Sequence, residues 1–307
     1  MLRQLKTLVK AAMTSFNRQR GANRLKKAER HVTRAELVSD LRKLGVLPGD
    51  TLFVHSSLKS LGYVEGGATE VVRALQEAVG AEGSLLLPTY YMPGGTILGT
   101  CELKDYVFDA RKHGTNMGRL PEAFLSGQGV HRSIHPTHSV SAWGRHAAYL
   151  TESHHRSPSV FGRGSPWQRF LEIENAKVLG LGISMGPVTF YHLLEDTLGD
   201  AFPIPVWQNK TYQLPCLDGN GNFCIVPVRP FNATLSELRI DHKLRTDLRD
   251  YFQKEFERAG LRMNGSVGSA DSWIIPAQGF FDHLKKLADE KITIYSTEQE
   301  LAARPLS

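Results

Sequence analysis

Two short runs of apolar residues, Thr51-Leu52-Phe53-Val54 and Ser84-Leu85-Leu86-Leu87, bracket an amphipathic segment from Ala68 to Val79. Apolar runs of this length between turn signals read as buried strands, and the segment between them repeats every three to four residues as a helix does. The β-loop-α-β order implies a largely parallel or mixed sheet flanked by helices. Lys177 to Leu181 repeats the buried-strand pattern and leads through Gly182 and Gly186 into a helix over Phe190 to Leu198. The expected architecture is therefore α/β: one large domain over residues 31–307, with a mixed β-sheet in an α/β/α arrangement.

The other elements hang on this frame. Thr33 and Glu36 form a capping-box pattern that starts a helix running to Leu44. Residues 89–133 read as a long, Gly-rich, irregular stretch with one helix near Leu120 to Leu125. Lys210–Pro215 and Asn222–Val228 flank Asp218-Gly219-Asn220-Gly221, which predicts a hairpin toward the C-terminal end. It sets Cys216 opposite Cys224, and free thiols are expected. Thr246 to Ala259 reads as a helix capped by Gly260, followed by a helix over Phe280 to Glu290 and a strand over Lys291 to Tyr295.

Charge is unevenly placed. Residues 1–30 hold nine Lys and Arg against Glu29 alone, a net +8, whereas the remainder carries 28 basic against 30 acidic residues. The basic character is thus an N-terminal feature, and the body does not read as nucleic-acid-binding. Leu2, Leu5, Val9, Met13 and Phe16 give residues 2–16 one apolar helical stripe among lysines. Such an extension packs on its own domain or a second subunit, or touches an anionic membrane surface weakly. Monomer and homodimer both remain open. Three cysteines, no membrane-length apolar run and no secretory h-region point to the cytoplasm.

The chain has no GxxxxGK[ST] loop, GxGxxG fingerprint, GxSxG elbow or HExxH helix. What remains as candidate chemistry is a set of histidines beside small hydroxyl residues. His55-Ser56-Ser57 follows the first buried strand, the place where α/β sheets gather their sites. His135-Pro136-Thr137-His138-Ser139 lies in a loop. His192 and Glu195 stand three apart on a helix and share a face. A carboxylate beside an imidazole fixes its tautomer and stabilises the imidazolium, as a general base requires, although taken alone such a pair is more often a structural ion pair on a helix surface. His131, His135 and His138 have no convergent cysteine or acid, so no metal is expected. His154-His155 reads as a solvated loop pair, and Trp143, Trp167 and Trp207 as packing residues.

Taken together and in order, these blocks resemble the aminoglycoside (antibiotic) 3-N-acetyltransferase family. The resemblance runs through Val54-His55-Ser56-Ser57-Leu58, Gly66-Gly67-Ala68 and Gly83-Ser84-Leu85-Leu86-Leu87-Pro88-Thr89. It continues through Gly118, Glu122 and Phe124, then Arg132-Ser133-Ile134-His135-Pro136 with Ser139 and Gly144, and Gly164-Ser165-Pro166. Leu179-Gly180-Leu181-Gly182 with Thr189, His192 and Glu195 follows, and weaker similarity reaches Asp241-His242 and Gly265-Ser266-Val267-Gly268. It spans roughly residues 33–270. The family implies acetyl-CoA as donor, an amine of an amino-sugar antibiotic as acceptor, and direct transfer without an acyl-enzyme. It implies His192 as catalytic base with Glu195 as its orienter. It places Ser56, Ser57 and Leu58 against CoA, Ser139 and Thr189 near the thioester, and Asp241 toward the cationic acceptor. His55 and His135 match family positions that hold either local structure or ligand.

The departures concern the acceptor. Where family members carry acids after the Pro-Thr strand, this chain has Tyr90-Tyr91-Met92-Pro93-Gly94-Gly95, with Glu102 and Asp105 later; Arg239 replaces a second acid; and Gly186-Pro187-Val188 replaces polar residues. Fewer carboxylates suit a less charged amino sugar, such as a surface-polysaccharide precursor. Two other readings stay open: an acyl-CoA thioesterase or serine hydrolase using Ser56 or Ser57, and a catalytically inactive binding homologue.

Overall fold

The computed structural model describes residues 31–304, so the expected basic helix within residues 1–30 lies outside the described residues. In chain order the strands are β1 (His31–Val32), β2 (Thr51–Ser56), β3 (Tyr63–Val64), β4 (Ser84–Pro88), β5 (Phe108–Asp109) and β6 (His131–Arg132). They continue with β7 (Val140–Gly144), β8 (Ala176–Leu181), β9 (Tyr212–Leu217), β10 (Phe223–Val228), β11 (Met263–Val267) and β12 (Ala270–Pro276). Seven of them form one mixed sheet in the order β11-β12-β8-β2-β4-β7-β6. β2 runs parallel to β4 and to β8 in the centre, and the outer pairings are antiparallel.

Alternation along the central strands divides the core between two faces. Leu52 and Val54 of β2 join Leu85, Leu87, Leu179 and Leu181 on one face, beneath helices Arg34–Lys43, Ala68–Val79 and Arg119–Leu125. Phe53 joins Leu86 and Val178 on the other, beneath helices Pro166–Leu171, His192–Leu198, Thr246–Arg258 and Ala277–Asp289. Strands covered on both sides favour apolar residues at successive positions, which is why the middle of β2, Leu52–Val54, and of β4, Leu85–Leu87, are unbroken apolar runs. Burying Phe53 completely contributes ~1.5–3 kcal/mol by the usual area relation.

The capping box forms as expected: the Glu36 amide donates to Thr33 Oγ1 at 3.3 Å, and the Thr33 amide donates to Glu36 Oε2 at 2.8 Å. The hairpin also forms, with Cys216 opposite Cys224. Asp218 Oδ1 accepts from the amides of Asn220 and Asn222, both at 2.8 Å, and so shapes the turn. β9 also pairs with β5, giving a separate three-stranded sheet, and all three cysteines are free.

Some expectations need correction. No strand forms over Lys291–Tyr295. Lys291 takes a positive φ of 64°, and the segment's apolar side chains enter the core without a ladder partner. The helix before it begins at Ala277, directly after Pro276, instead of at Phe280. Residues 89–133 hold a second short helix, Ile97–Cys101, and two short strands. Among the described residues no helix is long and apolar enough to cross a membrane.

Candidate active site

β2, β4 and β8 are parallel and neighbouring, so their carboxyl ends share one edge of the sheet. His55 lies opposite Gly180 and Ser56 opposite Leu181. β7 runs the other way, with Val140 opposite Pro88, and this returns the loop before it to the same edge. Topology alone thus gathers residues 55–57, 89–90, 133–139 and 182–189, the usual place for a site in an α/β sheet.

His192 opens helix His192–Leu198 at this edge. Its Nδ1 lies 2.8 Å from Glu195 Oε2, one turn on. Glu195 is buried, and its other oxygen accepts from the Tyr295 hydroxyl at 2.9 Å. A carboxylate accepts, so Nδ1–H donates and the lone pair stands on Nε2. Nε2 has no hydrogen-bond partner among the described residues, and the side chain remains 10% exposed. The rings of Phe161 and Phe231 each pack 4.9 Å from the imidazole, and Trp207 stacks on Phe231 at 4.3 Å. The imidazole therefore has an apolar wall, a fixed tautomer and one free nitrogen.

β2 connects to this centre through rings. Phe53 meets Trp167 at 5.8 Å, Trp167 meets Phe161 at 4.7 Å, and Phe161 meets His192. His55 shares the Phe53 face, with the two rings 4.7 Å apart. Burial pushes the His55 pKa down to about 3, so this ring is neutral. Its Nε2 finds no partner. Ser56, Ser57 and Leu58 are half-buried where the strand ends. The Ser57 amide donates to Leu181 O at 2.8 Å, and Ser57 Oγ accepts from Ser60 at 2.8 Å. Neither Ser56 nor Ser57 hydrogen-bonds a histidine, so the elements of a serine nucleophile are not assembled.

A polar cavity of about 720 Å³ adjoins this turn, lined by Ser60, Gly182, Ser184, Arg262 and Trp273 among others. Gly180 makes its wall possible. A Cβ there would stand 2.2 Å from Trp273 Cε2, so the missing side chain admits the indole, whose Nε1 donates to Ile183 O at 2.9 Å.

The other expected site residues divide into those that shape the site and those that face it. Ser139 is engaged within the fold: its hydroxyl donates to Thr89 O at 3.0 Å and accepts from Arg132 Nε at 3.1 Å. Thr189 Oγ1 lies 2.8 Å from the Tyr90 hydroxyl and accepts from Trp167 Nε1 at 3.3 Å. His135 is buried, and its Nδ1 accepts from the amides of Thr137 and His138 at 3.3 and 3.0 Å, which folds the loop around the ring. Its Nε2 has no partner. Asp241 is paired with Arg239, Nε to Oδ1 at 2.6 Å.

His154 is not solvated, contrary to expectation. It is fully buried, stacked on His135 at 4.5 Å, with Nδ1 2.9 Å from Ser133 Oγ and Nε2 2.9 Å from Val160 O. His138 stands beyond it, its ring 4.6 Å from Tyr90 and 5.2 Å from Phe161. Among the described residues no three His, Cys, Asp or Glu side chains form a set that could hold a metal. The sequence reading did not place Tyr295, Phe161 or Phe231 at the site. Their local sequence carries no sign of it, because they reach it from distant segments.

Comparison with known proteins agrees with the architecture. A model of the aminoglycoside 3-N-acetyltransferase family matches residues 53–289. Aminoglycoside N(3)-acetyltransferase III of Serratia marcescens is 35% identical over 254 residues, which is 79% of this chain and 91% of that protein. Aminoglycoside N(3)-acetyltransferase VII of Streptomyces paromomycinus is 31% identical over 287 residues, covering 87% and 95%. The crystal structure of aminoglycoside acetyltransferase AAC(3)-IIb superposes with a TM-score of 0.67 at 32% identity, over 86% of this chain and 98% of that one. AAC-VIa bound to sisomicin superposes with a TM-score of 0.68 at 27% identity, over 83% and 96%. The sheet, its order of elements and these matches converge on one conclusion: the chain belongs to the aminoglycoside 3-N-acetyltransferase family and is a transferase.

Proposed function

We propose that the protein transfers the acetyl group of acetyl-CoA directly to an amine of an aminoglycoside or a related amino sugar, with His192 as general base. One observation carries this reading: the chain Tyr295–Glu195–His192, with Nε2 left free at the carboxyl edge of the parallel strands. An ammonium nitrogen has no lone pair, so the acceptor reacts only as the free amine. His192 Nε2 takes the proton that the nitrogen loses as its bond to the acetyl carbon forms and the carbon–sulfur bond breaks. Glu195 stabilises the imidazolium that results, and Tyr295 holds Glu195 in place. The cavity of about 720 Å³ beside the Ser57 turn is polar and large enough for a substantial part of a CoA molecule. Asp241 and His135 are assigned to the acceptor side, and Ser56, Ser57, Leu58 and His55 to the donor side.

The relatives named aminoglycoside N(3)-acetyltransferases, and the AAC-VIa structure named for bound sisomicin, support this class of acceptor. The test is release of CoA thiol from acetyl-CoA with and without an amine panel. Transfer requires the amine, hydrolysis does not, and a non-catalytic binder releases none. His192→Ala should lower turnover by ~10²–10⁴-fold with the fold intact. Near wild-type rates from that variant would remove His192 from its role.

A further inference from the structure

Three carboxylates near His192 have partners. Glu195 accepts from His192 and from Tyr295. Asp196 Oδ2 accepts from the Phe161 amide at 2.7 Å. Asp241, the most open of the three, is held by Arg239 through two hydrogen bonds, Nε to Oδ1 at 2.6 Å and Nη2 to Oδ2 at 2.8 Å.

The ion pair stands beside the base. The Arg239 guanidinium lies over the Phe231 ring, 5.2 Å from its centroid, and the His192 imidazole packs against the same ring at 4.9 Å. Ile240, between the two charged residues, donates its amide to Ile294 O at 2.9 Å, next to the tyrosine that holds Glu195. Arg239 is 24% and Asp241 39% exposed at the side chain, so the pair forms part of the rim. The flat guanidinium is clamped between a ring and a planar carboxylate, a geometry in which an arginine is well ordered.

We infer that Arg239 is an internal occupant of the acceptor's cation subsite and so a specificity-determining residue: it fills the carboxylate that would hold a second ammonium group of the acceptor and directs the enzyme to amino sugars of low positive charge. The inference rests on the acyl-transfer reading and refines its acceptor. A polycationic acceptor gains affinity from free carboxylates at the mouth of its site. Here it meets a guanidinium already paired with the rim carboxylate of Asp241, and like charges repel. A sugar with a single amine has no second ammonium to place and is indifferent to that subsite.

The experiment compares two acceptors, glucosamine and kanamycin, in the CoA-release assay on the full-length protein. It uses wild type, Arg239→Gln and Asp241→Asn, with thermal melts confirming that each variant is folded. The readout is the selectivity ratio, kcat/KM for kanamycin over kcat/KM for glucosamine. Arg239→Gln frees the carboxylate and should raise the ratio ~10–100-fold, chiefly through a lower KM for kanamycin that weakens as salt rises. Asp241→Asn leaves the cation unneutralised and should lower the ratio. A merely structural ion pair would reduce both acceptors alike and leave the ratio unchanged, and that result, or a fall in the ratio for Arg239→Gln, overturns the inference while leaving acyl transfer standing. Absence of transfer to any amine by wild type would overturn the acyl-transfer reading and this inference with it. Should Arg239→Gln fail to fold, Arg239→Lys carries the test: it keeps the charge but loses the two-point clamp, so its ratio must rise by less than tenfold or the subsite is not governed by charge.

Discussion

Replacing Glu195 by Gln tests the site at its most buried point. The carboxylate is 1% exposed, and its two oxygens lie 2.8 Å from His192 Nδ1 and 2.9 Å from the Tyr295 hydroxyl. Gln has the same shape, and its amide oxygen can still accept from Nδ1–H, so the ring keeps its tautomer. What disappears is the negative charge that faces the imidazolium during proton transfer. Two unit charges about 4 Å apart interact by ~4 kcal/mol at the effective dielectric of a partly buried site. The difference between charge-assisted and neutral hydrogen bonds suggests a lower value, ~1–2 kcal/mol. Between these limits Glu195→Gln should lower kcat/KM ~10–10³-fold. Tyr295→Phe removes only the hydrogen bond behind the carboxylate and should cost ~3–10-fold. Because both act through His192, the double variant should fall short of the product of the two losses. The assay is CoA-thiol release with saturating acetyl-CoA and a varied amine. A Glu195→Gln enzyme that folds normally and retains more than a third of the wild-type kcat/KM would refute the reasoning.

Other expectations concern stability. Gly180→Ala forces a methyl against the Trp273 indole and its hydrogen bond to Ile183, so it should destabilise by ~1–3 kcal/mol and lower the melting temperature by several degrees; an unchanged melt would show that the indole moves freely. His55 and His154 are buried and held neutral, their pKa values pushed down to about 3, while the unfolded chain titrates near 6.5. The unfolded state therefore binds more protons below pH 6.5, and stability drops as pH falls from there toward 3, by up to ~1.4 kcal/mol per unit for each ring. Denaturant midpoints at pH 7.5, 6 and 5 should show this drop, and a flat profile would contradict it. Asp196 behaves oppositely: burial raises its pKa to about 6, so its contribution is full at low pH and is lost as pH rises through the interval from 3.8 to about 6. Asp196→Asn keeps an acceptor for the Phe161 amide and should raise the melting temperature at pH 8 but not at pH 4; equal effects at both values would exclude ionisation as the cause.

The elements that could be read in advance are those whose signal is local. A strand buried on both faces favours apolar residues at successive positions, as in Leu52-Phe53-Val54 and Leu85-Leu86-Leu87. A capping box is complete within four residues, and a hairpin turn within the four of Asp218 to Gly221. His192 and Glu195 were legible together because helical periodicity brings positions three apart onto one face.

β7 and β12 were not legible. Val140-Ser141-Ala142-Trp143-Gly144 is a strand because β4 offers it a ladder, whereas Lys291–Tyr295, with better strand residues, pairs with no strand. The solvated reading of His154 failed for a related reason: whether a histidine in a polar loop is wet depends on Val160 and Ser133, which approach it only in the folded chain.

Sequence by itself determined the α/β class, the order of the central elements and the His192–Glu195 pair, since each rests on periodicity or on residues close along the chain, and the ordered motif blocks carried the resemblance to the family. Only the tertiary structure decided that Tyr295 completes that pair from 100 residues away, that Ser139 is engaged in the fold and that Asp241 is neutralised by Arg239 at the rim. These are questions of which donors and charges meet across distant segments, and a hydrogen bond or an ion pair acts over a few ångströms of space whatever the separation along the chain.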